Sequence, residues 1–87
     1  MKLLERFIHV AARRRLARST RECYWNWIVE FLRFHCSGGV WRRPAELNET
    51  HVEAFLNHLA LQKRVSASTQ NQALCALVFL YKQVGGG

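Results

Sequence analysis

The sequence predicts an all-α protein of four helices joined by short links. Apolar residues recur at helical spacing in four stretches, which begin near residues 2, 20, 49 and 66. No stretch longer than a few residues alternates with the period of two that a strand requires, and no repeat recurs at a fixed period. With 87 residues, the chain is long enough for one domain with a single small core and too short for a deep catalytic cleft.

The first predicted helix runs from residue 2 to about residue 14. Its apolar residues share one face: Leu4, Phe7, Ile8 and Ala11. The second helix is predicted to begin at Ser19 or Thr20, because either hydroxyl can accept a hydrogen bond from a free backbone N–H, and to end near residue 36. Its broad apolar face should form the centre of the core: Tyr24, Trp27, Ile28, Phe31, Phe34 and His35. Trp25 lies off this face, where packing against another helix is favoured over stacking on a base.

A loop with paired glycines and Pro44 separates the second helix from the third, since neither residue type continues a helix. Arg42 and Arg43 add charge to this loop, and Trp41 is expected to attach it to the body. The third helix is predicted to have Asn48 as its N-cap and to end near residue 62. Its apolar face consists of Val52, Phe55, Leu56 and Leu59.

The fourth predicted helix, from Ser66 to Tyr81, changes character halfway. Its N-terminal turns carry hydroxyls and amides directly after two cations: Lys63, Arg64, Ser66, Ser68, Thr69, Gln70, Asn71 and Gln72. Its C-terminal part is apolar: Leu74, Leu77, Val78 and Tyr81. A polar helix start of this kind suits a nucleic-acid surface, because amides pair with base edges and cations with phosphates. It also suits an ordinary amphipathic helix whose start is capped by Ser66 or Ser68.

The apolar faces of all four helices are expected to be used up by the core. We expect the domain to cover residues 1–84, and the glycines at 85–87 to act as a stop or a flexible linker.

The charge of the chain points to a polyanionic partner. Thirteen Lys and Arg stand against six Asp and Glu, for a net charge of +7. Nucleic acid is the first candidate and an anionic membrane surface the second. Five arginines fall within nine residues: Arg13, Arg14, Arg15, Arg18 and Arg21. This run is either a solvated helix end or a phosphate clamp at the junction of two helices.

Nothing in the sequence indicates an active site, a cofactor or a metal. The chain contains no Asp to orient a histidine, its four histidines lack metal-ligand spacing, and no glycine-rich phosphate loop is present. The three cysteines are odd in number and are expected to be free thiols in a reducing cytoplasm. No apolar run approaches the length of a membrane span, so no membrane partner is expected beyond a surface.

Three blocks of the sequence resemble the N-terminal domain of integron integrases, which are tyrosine site-specific recombinases. Thr20-Arg21-Glu22-Cys23-Tyr24-Trp25-Asn26-Trp27-Ile28 is similar to the second helix of that domain. Residues 44–47 and 51–60 are similar to its third helix, and residues 65–81 to its fourth. The resemblance covers the chain from about residue 4 to residue 84.

The resemblance implies a compact four- to five-helix SAM-like bundle with orthogonally packed helices. It implies a core-binding domain that forms one jaw of a clamp around duplex DNA near the crossover site. The catalytic residues would lie in a separate C-terminal domain, reached through the glycine tail, so that this chain alone is not an enzyme. Its partners would be double-stranded DNA, that catalytic domain and other protomers of a recombination tetramer. The location would be the bacterial cytoplasm, in association with the nucleoid.

The family's DNA contacts carry over onto the starts of the second and fourth helices. Together with the basic run, the expected DNA-binding residues are Arg13, Arg14, Arg15, Arg18, Thr20, Arg21, Lys63, Arg64, Ser66, Ser68, Thr69, Gln70 and Asn71. The alternative to a DNA-binding module is a helical protein-interaction bundle whose basic face meets an acidic partner. A membrane-surface domain would need an exposed apolar face. The predicted core leaves no such face.

Overall fold

Four helices make up most of the structure, as the sequence predicts. The computed structural model describes residues 2–36, 38–40, 42 and 46–84. Helix α1 spans Lys2–Arg13, α2 spans Arg18–Phe34, α3 spans Glu49–Leu61 and α4 spans Ala67–Phe79. Helix α4 continues directly into a π-helical turn, Leu80–Val84. Trp41, Arg43, Pro44 and the glycine tail, about which expectations are stated above, lie outside the described residues.

The predicted caps of α3 and α4 are confirmed. The side chain of Asn48 accepts a hydrogen bond from the backbone N–H of Thr50 at 2.9 Å, and the ring of His51 accepts one from the backbone N–H of Asn48 at 3.0 Å. At α4 the hydroxyl of Ser66 accepts a hydrogen bond from the N–H of Thr69 at 3.1 Å. Both helix starts therefore satisfy free backbone donors with nearby side chains, as capped starts do.

The predicted cap of α2 is wrong. Helix α2 begins at Arg18, and its N-cap is Ala17, which makes no side-chain capping bond. The reason lies in the preceding turn, which ends α1 and leaves Leu16 packed against the core. Only Ala17 then separates Leu16 from the helix, so Ser19 and Thr20 fall inside the first turn.

The core lies where α2, α3 and α4 meet. Phe31 of α2 packs edge-on against Phe55 of α3, with ring centroids 5.6 Å apart, and both are fully buried. Helix α1 covers one side of this core through Phe7, whose ring lies 5.3 Å from that of Trp25. The expectation that Trp25 packs against a neighbouring helix is therefore confirmed.

Helix α4 packs through a different face from the one predicted. Of the predicted apolar residues only Leu77 is fully buried, while Leu74 is 39% exposed and Val78 is 42% exposed. The buried residues are Ala73, Ala76, Leu77, Leu80 and Val84. Because the alanines let α4 approach its neighbours closely, the buried face is displaced by one residue, about 100° around the axis. The expectation that the core uses up all apolar faces is therefore wrong.

Candidate nucleic-acid interface

The starts of α2 and α4 are neighbours in the fold. Helix α2 packs mainly against α4. The thiol of Cys23 donates to the side-chain oxygen of Gln72 across a distance of 3.8 Å. Each of these residues is the sixth of its helix, so the second turns of the two helices lie side by side. The first turns of the two helices, which precede these residues, therefore lie near one another.

The same turn leads into both helices. Arg15 after α1 and Arg64 after α3 have φ values of 56° and 50°, a left-handed conformation that is uncommon for any residue except glycine. In each turn, the backbone N–H of the next residue donates a hydrogen bond to a carbonyl of the helix just ended. Leu16 donates to Ala11 at 3.1 Å, and Val65 donates to Leu59 at 3.2 Å.

Leu16 and Val65 both pack against the core, and the arginine side chain before each is exposed. Each helix start is therefore preceded by an exposed arginine whose backbone position is set by the turn.

A short sequence pattern that occurs twice accompanies this likeness, and hydrophobic periodicity does not reveal it. The pattern Arg-Leu/Val-x-x-Ser-Thr occurs at residues 15–20 and again at residues 64–69. The two copies are 49 residues apart, as are Cys23 and Gln72, which touch. Contact between equivalent residues is what a local two-fold relation produces. Two short copies are too few to define a repeat period. The pattern becomes recognisable only because equivalent residues contact each other in the structure.

The arginine side chains around the α1–α2 turn differ in their exposure and in their bonds to other residues. The side chains of Arg13 and Arg15 are exposed, and that of Arg14 donates to the side-chain oxygen of Gln83 on the π-helical turn. Arg18 forms an ion pair with Glu22 at 3.3 Å, with 85% of its side chain exposed. Exposed pairs of this type contribute little to stability, so Arg18 remains available to another anion.

Thr20 and Arg21 lie deeper at the start of α2, both half-buried. The Nε of Arg21 is buried and has no hydrogen-bond partner within the described part of the chain. A buried donor of this kind is uncommon in folded proteins, because losing water without a replacement is unfavourable.

The side chains at the start of α4 divide into two groups. Ser66 and Thr69 bond to each other, with their hydroxyl oxygens 3.0 Å apart, and Gln70 donates to the backbone carbonyl of Leu56 at 3.2 Å. Ser66 and Thr69 therefore stabilise the first turn of α4, and Gln70 attaches this turn to α3. The second group, which is exposed to solvent, consists of Lys63, Arg64, Ser68 and Asn71.

Across residues 2–36, 38–40, 42 and 46–84, no three His, Cys, Asp or Glu side chains come close enough to hold a metal ion. No helix in the same residues is long and apolar enough to cross a bilayer. The arrangement is suited to binding an anionic surface through cations, hydroxyls and amides.

Comparisons with known proteins agree with the fold. The family model described as phage integrase, N-terminal SAM-like domain, matches residues 3–86. Two curated proteins named Integrase/recombinase, one from Escherichia coli and one from Pseudomonas aeruginosa, are each 44% identical to the chain over 79 residues. The matches cover 91% of this chain and 20% of each relative, so the chain spans about one fifth of the relatives' length. Because the family model covers nearly the whole four-helix bundle, the chain belongs to the phage integrase N-terminal SAM-like domain family.

Proposed function

We propose that this domain binds duplex DNA for a site-specific tyrosine recombinase and that the starts of α2 and α4 form the binding surface. The observation that carries the proposal is the contact between Cys23 and Gln72, which sets the two polar helix starts side by side. Both starts follow an exposed arginine, and helix N-termini favour phosphate through their free N–H groups.

The size of the domain fits this role. Its longest dimension is 35 Å, close to one helical turn of B-DNA, which is about 34–36 Å. The major groove is about 12 Å wide and admits one helix, so a single helix start can reach base edges while the neighbouring start meets the backbone.

The exposed side chains divide by chemistry into two roles. The cations bind phosphates: Arg13, Arg15, Arg18, Lys63 and Arg64. Ser68 and Asn71, which are exposed on the first turns of α4, contact base edges. Ser66, Thr69 and Gln70 keep α4 in position through their internal hydrogen bonds. The side chain of Arg14 donates a hydrogen bond to Gln83, so we assign Arg14 a smaller contribution to phosphate binding.

The strand-exchange chemistry lies outside this domain in our proposal. The relatives are named Integrase/recombinase and are about five times longer than the matched region, which supports a separate catalytic domain as a partner. We further propose that the complete protein acts on nucleoid DNA in the bacterial cytoplasm, within a tetramer of recombinase protomers. The likeness of α2 and α4 to integron integrases makes an integron recombination site the first DNA to try.

A titration with duplex DNA tests the proposal. Fluorescence anisotropy should give dissociation constants of about 10⁻⁴ to 10⁻⁶ M at physiological salt and tighter binding at low salt, because phosphate contacts release counterions. Arg18→Ala should weaken binding to all duplexes alike. Arg33→Ala is the matched control, since it removes the same charge about 22 Å further along α2. Absence of binding at low salt, or equal effects of the two variants, would contradict the proposal.

A protein-interaction bundle is the second candidate, and one observation favours it. A groove of about 430 Å³ between α3 and α4 is lined by apolar side chains that include Leu47, Val52, Leu74 and Val78. Chemical-shift mapping with DNA separates the two functions. Shifts confined to residues 13–21 and 63–72 support DNA binding, whereas shifts spread over all basic residues support an adaptor that meets acidic proteins.

A further inference from the structure

The groove between α3 and α4 has no role in the DNA-binding surface proposed above. It has a volume of about 430 Å³, and aliphatic side chains line both of its walls. Leu74 and Val78 lie four residues apart on one face of α4, and they are 39% and 42% exposed. Val52 of α3 and Leu47, which precedes α3, line the opposite wall. An apolar groove between two helices is a surface into which an amphipathic helix can dock.

The charges beside this groove differ from those of the rest of the chain. Residues 44–62 contain no Lys or Arg, although the chain as a whole has a net charge of +7. Glu49 lines the groove, and Glu53 lies one turn further along the same face of α3. Both side chains are exposed, and neither forms an ion pair with another described residue. The α3 edge of the groove is therefore negative.

These charges decide which kind of partner fits the groove. Glu49 and Glu53 would repel DNA phosphates and anionic lipid headgroups. A second copy of the chain would bring another net charge of +7, so repulsion between the copies opposes that occupant. A single helix can instead carry cations only along the edge that faces the two carboxylates. Lys82, on the α4 side of the groove, favours a carboxylate on the other edge of that helix.

We infer that the groove binds a basic amphipathic helix of a separate protein. Apolar residues of that helix, spaced three and four apart, pack on Val52, Leu74 and Val78. Lys or Arg residues along one edge pair with Glu49 and Glu53, and an acidic residue on the other edge pairs with Lys82. A helix bound in the reverse direction would place its cations beside Lys82, so the charges also select one direction.

The inference goes beyond DNA binding and does not depend on it. None of the residues that line the groove belongs to the proposed DNA surface at the starts of α2 and α4. The two sites can therefore be tested separately in the same protein.

Two labelled synthetic peptides of about 15 residues, or four helical turns, test the inference. Both carry leucines at helical spacing. The first has lysines along one edge and a single glutamate on the other, and the second has the two charges exchanged. In NMR spectra of the 87-residue chain, the first peptide should shift residues 47–53 and 74–82. The second peptide is acidic and should instead shift residues 13–21 and 63–71, where the basic side chains lie.

Paired substitutions separate the groove from general attraction between peptide and protein. Val78→Ser should weaken binding of the first peptide about fivefold or more, because an aliphatic contact is lost. Ile8→Ser is the matched control, since it removes an aliphatic side chain of similar exposure from α1 and should leave the affinity unchanged. Glu53→Gln should weaken binding about two- to fivefold, as loss of an exposed ion pair does. Glu30→Gln removes the same charge from α2 and should not. Circular dichroism checks folding, and Leu74→Ser replaces Val78→Ser if the latter unfolds.

Four results would overturn the inference. The first peptide could leave the groove residues unshifted, the two peptides could bind the groove equally, or the control variants could weaken binding as much as the groove variants do. The fourth result comes from sedimentation of the chain without peptide. Self-association that Val78→Ser removes would show that the groove holds a second copy. Absence of DNA binding is a different result, because it would overturn the proposed function and leave this inference standing.

Discussion

Replacing Arg64 by glycine should separate folding from DNA binding. Arg64 has a φ of 50°, in a turn where glycine is the residue best suited to the backbone. The left-handed conformation costs an ordinary residue about 1–2 kcal/mol. Glycine avoids this cost but loses about 0.5–1 kcal/mol through its more flexible unfolded chain. The side chain is exposed, so its removal leaves no cavity.

The expected result is a more stable protein that binds DNA less well. The free energy of unfolding should rise by about 0.5–1 kcal/mol, which corresponds to a melting temperature about 2–8 °C higher for a domain of this size. The loss of one phosphate contact should reduce the slope of log affinity against log salt by about 0.9. Thermal unfolding followed by circular dichroism measures the first effect, and anisotropy titrations at several salt concentrations measure the second.

Two controls make the test decisive. Arg64→Ala keeps the backbone cost and loses the charge, so it should weaken binding equally without the gain in stability. Arg33→Ala should change neither property much, because its contact with Glu30 is exposed. A fall in melting temperature for Arg64→Gly would refute the account of the turn. An unchanged salt slope would refute the assignment of Arg64 to a phosphate.

Three further predictions concern the start of α4 and the π-helical turn. Ser66→Ala should lower the free energy of unfolding by about 1 kcal/mol through loss of the cap, whereas Ser68→Ala should leave thermal unfolding unchanged. Gln70→Ala should cost about 0.5–1.5 kcal/mol in denaturant unfolding, while Asn71→Ala should reduce only the preference among DNA sequences in competition titrations. Burial raises the pKa of Tyr81 from 10.0 to about 12, so the stability present below pH 10 should decline as the pH rises towards 12. In Tyr81→Phe, the melting temperature should therefore fall less between pH 10 and pH 12 than in the wild-type protein. An equal fall in both proteins would contradict the role of Tyr81 in this pH dependence.

Short-range signals predicted the four helices and two of their caps. Asn48 and Ser66 bond to backbone groups within three residues, so the information needed to place them is local. The start of α2 is different, because it depends on the turn at Arg15 and on where Leu16 packs. No local rule favours arginine in a left-handed conformation, so the sequence pointed to Ser19 or Thr20 instead.

The buried face of α4 needed information that periodicity does not contain. Ala73 and Ala76 contribute little to a hydrophobic pattern because their side chains are small. They are fully buried because their small size lets α4 approach its neighbours closely. Leu74 and Val78 looked like core residues and are partly exposed. At the candidate site, the start of α4 could be predicted from its polar side chains, but the start of α2 and the direction of Gln70 could not. Its amide is turned to the carbonyl of Leu56, a partner on another helix.

The turns at Arg15 and Arg64 suggest how a basic domain this small can place cations before two helix starts. Arg15 and Arg64 hold an uncommon backbone conformation because the next residue of each, Leu16 or Val65, packs against the core. Packing of the aliphatic side chain thus fixes the backbone from which the adjacent arginine projects. Equivalent positions that follow the two turns meet at Cys23 and Gln72, so the two helices that the arginines precede are neighbours. Mutual repulsion of the positive charges lowers stability in the free protein and is relieved when a polyanion neutralises it, so the melting temperature should rise on adding duplex DNA and fall back at high salt.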